Sequence, residues 1–262
     1  MGGPAKEDMA HEAKHPVAAT QKTIRVLEAL KQRGGARVTE LAAELEMNKS
    51  TVHNHLSTLR EDGFVVHDDP EYRLGLRFLE FGGYARHEMD LYHVAEPEVE
   101  RLAERTGEMA SLMTEEDGRG VYLHRSKGNQ AVALDTYAGY RCPLHVTALG
   151  KAILAHLPDA AVEGIVDRHG LAAWTPETIT DREALFGDLA TVRERGFALD
   201  DEERMTGLRC VGAPITTDDD RVVGAISVSG PTSRMRDAQF TDEVPDLVRS
   251  AANVIELNLT NT

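Results

Sequence analysis

The sequence predicts an α+β protein of two domains, and three observations carry this prediction. Its length of 262 residues leaves room for about two separate cores. Helical periodicity and two short β-rich runs share residues 18–75, whereas the chain after residue 109 mixes strand-like alternation with amphipathic helices. Hydrophobic residues make up 41% of the chain, which is typical of a globular protein.

The first residues carry no recognisable targeting signal. The segment MGGPAKEDMAHEAKHP lacks the apolar core of a signal peptide, so residues 1–17 are predicted to form a disordered tail. The sequence has no run of roughly 18 apolar residues, the length that a membrane span requires. We therefore expect a cytoplasmic protein with no membrane partner.

Three helices are predicted next. A helix over residues 20–33 is followed by a short helix for which Thr39 is the expected N-cap. The third helix covers residues 49–62, with Asn48 as its expected N-cap. Its apolar residues recur at i, i+4 and i+7, so one face should be buried: Val52, Leu56 and Leu59.

Two β-rich runs, residues 64–66 and 72–74, follow this helix. Asp68, Asp69 and Pro70 supply the turn between them. Helix, tight turn, helix and hairpin is the order of elements in a winged helix-turn-helix domain, which we predict for residues 18–75.

The outward face of the third helix has the residues that read DNA bases. Short hydrogen-bonding side chains dominate it, and it carries no acid before Glu61. A solvated polar face without function is the alternative explanation, but the order of elements favours DNA binding. The predicted DNA-binding residues are Lys49, Ser50, Thr51, His53, Asn54, His55 and Ser57 on the helix and Arg73 on the hairpin.

The charge distribution supports DNA binding only in part. The net charge is −15, but residues 1–75 carry 10 Lys or Arg and 12 Asp or Glu, a net charge of −2. The acid is therefore concentrated in the rest of the chain. Few lysines and an acidic surface suggest a cytoplasm of high salt, where phosphate contacts contribute less and base contacts more.

A linker helix is predicted over residues 76–90, bent or broken at Gly82 and Gly83. A further helix over residues 91–105 contains Pro97, which should force an adjustment or a new start. The second domain, residues 91–262, should combine helices with a mainly antiparallel sheet. Its predicted strands cover residues 110–113, 121–124, 131–137, 197–199, 211–216 and 222–229, and its predicted helices cover residues 147–157, 160–169, 181–195 and 242–257.

Two catalytic or metal-binding alternatives involve the cysteines. Cys210, His145 and Asp200 are the residue types of a cysteine nucleophile site. Cys142, His145 and Cys210 could contribute to a zinc site, but a fourth ligand is not evident. Cys210 within GLRCVGAP fits a strand core better, so we predict neither catalysis nor a metal or other cofactor.

The chain resembles the IclR family of transcriptional regulators from about Ala18 to Leu257. Four blocks carry the resemblance: LAAELEMNKSTVHNHLSTLREDGFV with YRLG, CPLHVTALGKAILAHLP, GFALDDEERMTGLRCVGAPI and VVGAISVSGPTSRM. The resemblance implies a winged helix, a linker helix and a GAF-like effector domain. It also implies a homodimer or homotetramer that binds a palindromic operator on double-stranded DNA. Asn54 stands where members often have Arg, so the base preference should differ.

The resemblance also implies where a small-molecule effector binds. The last three blocks form the pocket in similar proteins, and its residues map to Ala148, Leu149, Asp200, Cys210, Ser227 and Ser229, with Leu144 as a candidate apolar wall. The N–H groups at a helix start favour an anion. A small organic acid or sugar acid is therefore expected, and one carboxylate is favoured over two because Asp200 would repel the second.

Overall fold

The computed structural model describes residues 14–260. The chain divides into two compact units, and the boundary along the sequence lies between Arg86 and His87. The predicted tail, residues 1–17, lies mostly outside the described residues. The first unit contains α1 (Ala18–Arg33), α2 (Val38–Glu44), α3 (Lys49–Glu61), β1 (Val65–Asp68), β2 (Glu71–Leu74) and most of α4 (Arg77–His87).

The first unit is a three-helix core with a two-stranded antiparallel wing. Val52 and Leu56 of α3 are fully buried against apolar residues of α1 and α2. The wing pairs Val65 with Leu74, and Tyr72 closes the same core. The helix-turn-helix order of elements therefore follows the predicted order.

Three local predictions in this region are wrong. Thr39 does not cap α2, because the helix begins at Val38 with Arg37 as its N-cap, and Glu40 accepts a hydrogen bond from the Arg37 N–H at 2.7 Å. Gly82 and Gly83 do not break α4, which is continuous. Pro97 lies inside the uninterrupted helix α5 (Asp90–Thr106), since apolar packing on both sides of the proline holds the helix together.

The second unit is built on one six-stranded sheet in which every neighbouring pair is antiparallel. Its strands lie in the order β5-β4-β3-β8-β7-β6. They are β3 (Met109–Glu116), β4 (Arg119–Lys127), β5 (Arg141–Pro143), β6 (Ala198–Asp201), β7 (Leu208–Thr216) and β8 (Val222–Pro231). The helices beside the sheet are α5, α6 (Ala148–Ala155), α7 (Asp159–His169), α8 (Arg182–Arg195) and α9 (Val244–Leu259).

The two faces of the sheet have different partners. Val211, Ile226 and Val228 point to one face and pack with α5 and α9 into an apolar core. The alternate residues point to the other face, where α6 lies against β7 and β8. This second face carries the polar side chains from which the cavity described below is built.

The strand predicted over residues 131–137 does not exist. These residues form an irregular loop, in which Leu134 and Thr136 alternate toward the cavity and Thr136 is buried. The strand-like alternation of residues 131–137 therefore arises because this loop covers a cavity and turns alternate side chains toward it.

No helix among residues 14–260 is long and apolar enough to cross a lipid bilayer.

Candidate functional site

A small cavity with about 10 Å³ of free internal volume lies between the polar face of the sheet and the start of α6. This volume corresponds to the space of about one water molecule. Its lining combines hydroxyl, thiol, carboxylate and guanidinium groups with a few apolar side chains. The lining residues are Ser111, Tyr122, Leu134, Thr136, Thr147, Ala148, Leu149, Asp200, Arg204, Leu208, Cys210, Ser227 and Ser229.

The structure brings six of the seven expected effector residues to this cavity: Ala148, Leu149, Asp200, Cys210, Ser227 and Ser229. Leu144 is the exception. It lies in a 3-10 turn, Leu144–Val146, and is buried in the core under α6. An added Cβ on Gly150 would lie 2.0 Å from the Leu144 carbonyl oxygen, so this turn packs under the helix instead of facing the cavity.

The first turn of α6 is oriented toward the cavity by its cap and by a glycine. Thr147 is the N-cap, and its hydroxyl accepts a hydrogen bond from the Gly150 N–H at 2.9 Å. Gly212 on β7 lets the turn approach the sheet, because a Cβ there would lie 2.8 Å from the Ala148 carbonyl carbon. The first N–H groups of a helix have no partner within the helix, so this end favours an anion or a carbonyl oxygen.

Register pairing places the polar side chains in a continuous row across the sheet. Asp200 pairs with Cys210, and Cys210 pairs with Ser229. Two residues farther along β8, Ser227 pairs with Ser111 on β3. Directly paired residues point to the same face, so these groups belong to one surface of the cavity.

Asp200 is the fully buried carboxyl group of the cavity. Its Oδ1 accepts hydrogen bonds from the N–H groups of Glu203 and Arg204, at 2.8 and 3.3 Å. Burial raises the pKa of Asp200 to about 6, although these hydrogen bonds and Lys151 act in the opposite direction. Asp200 can therefore accept a hydrogen bond when ionised or donate one when protonated, close to neutral pH.

The cysteines are not prepared for nucleophilic or metal chemistry. Burial raises the pKa of the Cys210 thiol well above its usual range and that of Cys142 to about 12. Burial lowers the pKa of His145, whose ring lies 3.2 Å from the Ala172 carbonyl oxygen and does not line the cavity. Among residues 14–260, no group of three or more metal-binding side chains converges on one point.

A buried ion cluster lies beside the cavity. The Lys151 side chain of α6 is almost fully buried, forms an ion pair with Glu203, and lies 3.0 Å from Asp188 on α8. Burial raises the pKa of Glu203 to about 7. This cluster links α6 and α8 to the segment that follows Asp200.

Seven lining residues were not predicted from the sequence: Ser111, Tyr122, Leu134, Thr136, Thr147, Arg204 and Leu208. Ser111 is a hydroxyl inside an apolar strand, like Ser227 and Ser229, but the family resemblance that indicated those two serines was not extended to it. Arg204 could not be predicted, because it lies in a charged turn whose side chains would ordinarily face solvent.

The outward face of α3 presents most of the expected DNA-binding residues to solvent. Lys49, Ser50, His53, Asn54 and Ser57 are exposed. Two others, Thr51 and His55, are half-buried. The His55 ring lies 2.9 Å from the Thr23 hydroxyl of α1, so it is held against the helical core.

Arg73 on the wing is exposed but paired. Its guanidinium forms an ion pair with Asp68 on the neighbouring strand. Both side chains are at least half exposed, so solvent screens the pair and the wing remains acidic.

Comparison with known proteins identifies both units. Residues 19–69 match the IclR helix-turn-helix domain, and residues 84–257 match the family model described as bacterial transcriptional regulator IclR C-terminal. The chain belongs to the IclR family. It is a DNA-binding transcriptional regulator with a C-terminal effector-binding domain.

Individual IclR relatives span nearly the whole chain. The chain is 38% identical to the probable HTH-type transcriptional regulator ArcR of Halobacterium salinarum over 247 residues, which cover 93% of this chain and 94% of ArcR. The crystal structure of Thermotoga maritima IclR has a TM-score of 0.75 and 29% identity, and the match covers 92% of this chain and 98% of that one.

A second IclR structure contains a ligand. The IclR homologue of Microbacterium hydrocarbonoxydans was crystallised with 4-hydroxybenzoate, and its TM-score to this chain is 0.79. The match covers 94% of this chain and all of that one at 24% identity. This likeness shows the shared fold.

Proposed function

We propose that this IclR regulator binds a palindromic operator as a homodimer or homotetramer and changes its operator affinity when a small carboxylic acid occupies the cavity. The observation that carries the proposal is the convergence of hydroxyls, a carboxyl group and the first turn of α6 on one enclosed space. An enclosed cavity with a few convergent polar groups is the usual form of a small-molecule site.

We assign base recognition to α3. Asn54 and Lys49 are exposed near the start of this helix, where a recognition helix contacts base edges and phosphates. Because the His55 ring contacts Thr23, its role in our proposal is to orient α3, while His53 and Asn54 face the DNA. In our proposal Arg73 contributes little to DNA binding, because its guanidinium is already paired with Asp68 on the acidic wing.

An apolar surface on α4 supports self-association. Leu76, Leu79, Phe81 and Tyr84 are all more than half exposed, and Leu76 is 80% exposed. Contiguous exposed apolar side chains usually mark an interface. A two-fold symmetric dimer would cover this surface and present two α3 helices to a palindromic site. Light scattering at micromolar concentration should report a dimer or tetramer, and a monomer with and without DNA would contradict the proposal.

The effector of this proposal is a small acid with hydroxyl or carbonyl groups, such as a sugar acid or a keto acid. Its carboxylate would bind at Ala148 and Leu149, and its hydroxyls would contact Ser227, Ser229 and Asp200. A purely apolar ligand would leave these buried groups unpaired at a cost of about 1–3 kcal/mol each. A calorimetric screen in which only apolar aromatics bind would contradict this assignment.

We also propose that the protein acts in a cytoplasm of high salt, which its net charge of −15 supports.

We further propose that it acts without catalysis, a metal or another cofactor. The raised pKa values of the Cys142 and Cys210 thiols support this proposal, because a protonated thiol is a poor nucleophile and a poor metal ligand. Titration with zinc should give no binding at micromolar concentration. Stoichiometric zinc binding that the substitution Cys210→Ser removes would favour the metal-sensor alternative.

The direct test of DNA binding is retardation of the DNA upstream of the protein's own coding sequence. We expect a sequence-specific complex at molar salt that a scrambled competitor does not displace. If both DNAs are bound equally at every salt concentration, the assignment of base recognition to α3 is wrong.

A further inference from the structure

Arg204 is a buried cation at the wall of the cavity. The residue is only 6% exposed, and its Nη2 donates to Asp135 Oδ1 at 2.6 Å. The guanidinium carbon lies 5.9 Å from the ring centroids of both Tyr140 and Trp174. Its Nε is buried and has no hydrogen-bond partner among residues 14–260. A buried N–H donor without an acceptor destabilises the protein, so this atom is suited to donate to a ligand oxygen.

Arg125 on β4 is a second cation with unsatisfied donors. It pairs in register with Ser111, which lines the cavity, so it points to the same face of the sheet. Its Nε and Nη2 are buried and lack hydrogen-bond partners within the described part of the chain. Burial lowers the pKa of Arg125, and the charge of Arg204 lowers it further, so the two guanidinium groups interact.

Arg125 stands apart from the anion-binding turn of α6. That turn lies against Gly212 on β7, whereas Arg125 stands on β4, three strands away in the sheet. Three strand spacings correspond to roughly 14 Å between the backbones. The sheet register therefore places Arg125 and the α6 turn on opposite sides of Ser111 and Ser227, and Arg204 lines the cavity together with that turn.

The carboxylate that pairs with the Arg204 guanidinium is exposed, whereas the buried Asp200 accepts hydrogen bonds from backbone N–H groups. Asp135 neutralises Arg204 from the solvent side, since its own side chain is 61% exposed. The unsatisfied Nε and Nη2 atoms of the two arginines remain as donors. Guanidinium groups recognise carboxylates through parallel N–H donors, so a carboxylate is the group that these atoms would bind best.

We propose that Arg125 and Arg204 form a second acid-binding position of the cavity, so that the effector is a dicarboxylate. One carboxylate would lie at the first turn of α6 and the other at the two guanidinium groups. This inference rests on the proposed effector function of the cavity. It departs from the expectation of one carboxylate, which considered the charge of Asp200 without the two arginines.

The test compares acids of equal carbon number by calorimetry on the full-length protein. The probes are succinate and glutarate against butyrate and pentanoate. We expect each diacid to bind about tenfold or more tightly than its monoacid, because an ionic hydrogen bond contributes that much. Arg204→Gln and Arg125→Gln should each remove this preference and leave monoacid binding little changed.

The matched control is Arg209→Gln. Arg209 neighbours Cys210 on β7 but points to the opposite face and pairs with Asp201, so this substitution should preserve the preference for diacids. Circular dichroism would verify the fold of each variant. Should Arg204→Gln fail to fold, Arg204→Lys retains the charge without the fork of donors and should weaken diacid binding specifically.

Three results would overturn the inference in different ways. If monoacids and diacids bind equally, and Ser227→Ala removes the binding of both, the second acid position is wrong and the proposed effector site stands. If no acid binds and none alters operator affinity, the proposed acid effector fails as well. A diacid preference that survives both arginine substitutions would place the second carboxylate elsewhere.

Discussion

The two faces of the six-stranded sheet are made by the same strands but have different roles: one packs against helices in an apolar core, and the other lines a polar cavity. On β8, Ile226 and Val228 are fully buried among apolar side chains of α5 and α9, whereas Ser227 and Ser229 face the cavity. One face gains stability from apolar burial. The other face holds hydroxyls, a carboxyl group and arginines whose donors are not all satisfied. Stability and recognition are thereby assigned to alternate residues of one strand.

The largest effect is expected where the polar face buries charge. Lys151→Met should lower the free energy of unfolding by about 3–5 kcal/mol at pH 8, because Glu203 and Asp188 lose their buried cation. At pH 5 the loss should be smaller, since protonation of Glu203 removes the uncompensated charge. Urea denaturation at both pH values measures this difference, and an equal loss at both would contradict the role of Lys151.

Exchange between an apolar side chain and a hydroxyl should cost more stability on the apolar face than on the polar face. Val228→Ser should cost about 2–4 kcal/mol of stability, from lost apolar burial and an unpaired hydroxyl. The neighbouring Ser227→Ala should cost less than about 1 kcal/mol. Urea denaturation of the two variants compares the faces directly. Equal losses would mean that the two faces contribute alike to the core.

The pH dependence of stability should show that burial disfavours the ionised form of Asp200 on the polar face. The pKa of Asp200 in the folded protein, about 6, lies above the ordinary value of 3.8, so its contribution to stability is present below pH 3.8 and is lost as pH rises through 6. Asp200→Asn removes this dependence. The stability of the variant relative to the natural protein should therefore rise by about 2–3 kcal/mol between pH 3.5 and pH 8.

Denaturation series of both proteins across this pH range measure that difference. The Asn side chain retains an oxygen that can accept from the Glu203 and Arg204 N–H groups, so these contacts serve in both proteins. A relative stability that does not change with pH would show that Asp200 ionises normally in the folded state.

The polar surface of α3 is exposed, and changes there should affect DNA binding more than stability. Asn54→Ala should lose roughly 1–3 kcal/mol of discrimination at one base position. Lys49→Ala should instead weaken all DNA sequences alike. Competition binding with single-base operator variants at the working salt separates the two effects. Unchanged affinity and preference in Asn54→Ala would contradict the docking of α3 in the major groove.

The regular elements could be predicted because each periodic pattern has one dominant physical cause. Val52, Leu56 and Leu59 repeat at helical spacing since α3 buries one stripe. Alternation likewise predicted β7 and β8, and it located Ser227 and Ser229 on one face. Alternation also predicted a strand at residues 131–137, and this prediction is wrong because a loop that covers a cavity can bury alternate residues as well.

The acid-binding arginines could not be predicted because their environment is tertiary. Arg204 is surrounded by Asp135, Tyr140 and Trp174, which lie far from it in the sequence. Arg125 lies on the cavity side of the sheet because of its register with Ser111, which the sequence does not reveal. The sequence DDEERM alone describes a solvated turn, and nothing in it indicates that one of its charges is buried.

Occupancy of the cavity should control DNA binding, and the operator dissociation constant with and without acid measures this coupling. Fluorescence anisotropy of labelled operator would be measured with the acid that binds most tightly in the calorimetric panel. The matched control is Ser126→Ala, since Ser126 pairs with Ala110 on the opposite face of the sheet.

We predict that the acid shifts the dissociation constant of the natural protein and of Ser126→Ala by about tenfold. The double variant Ser227→Ala, Ser229→Ala should bind operator with unchanged affinity in the absence of acid and show no shift in its presence. A double variant that shifts as the natural protein does would contradict the claim.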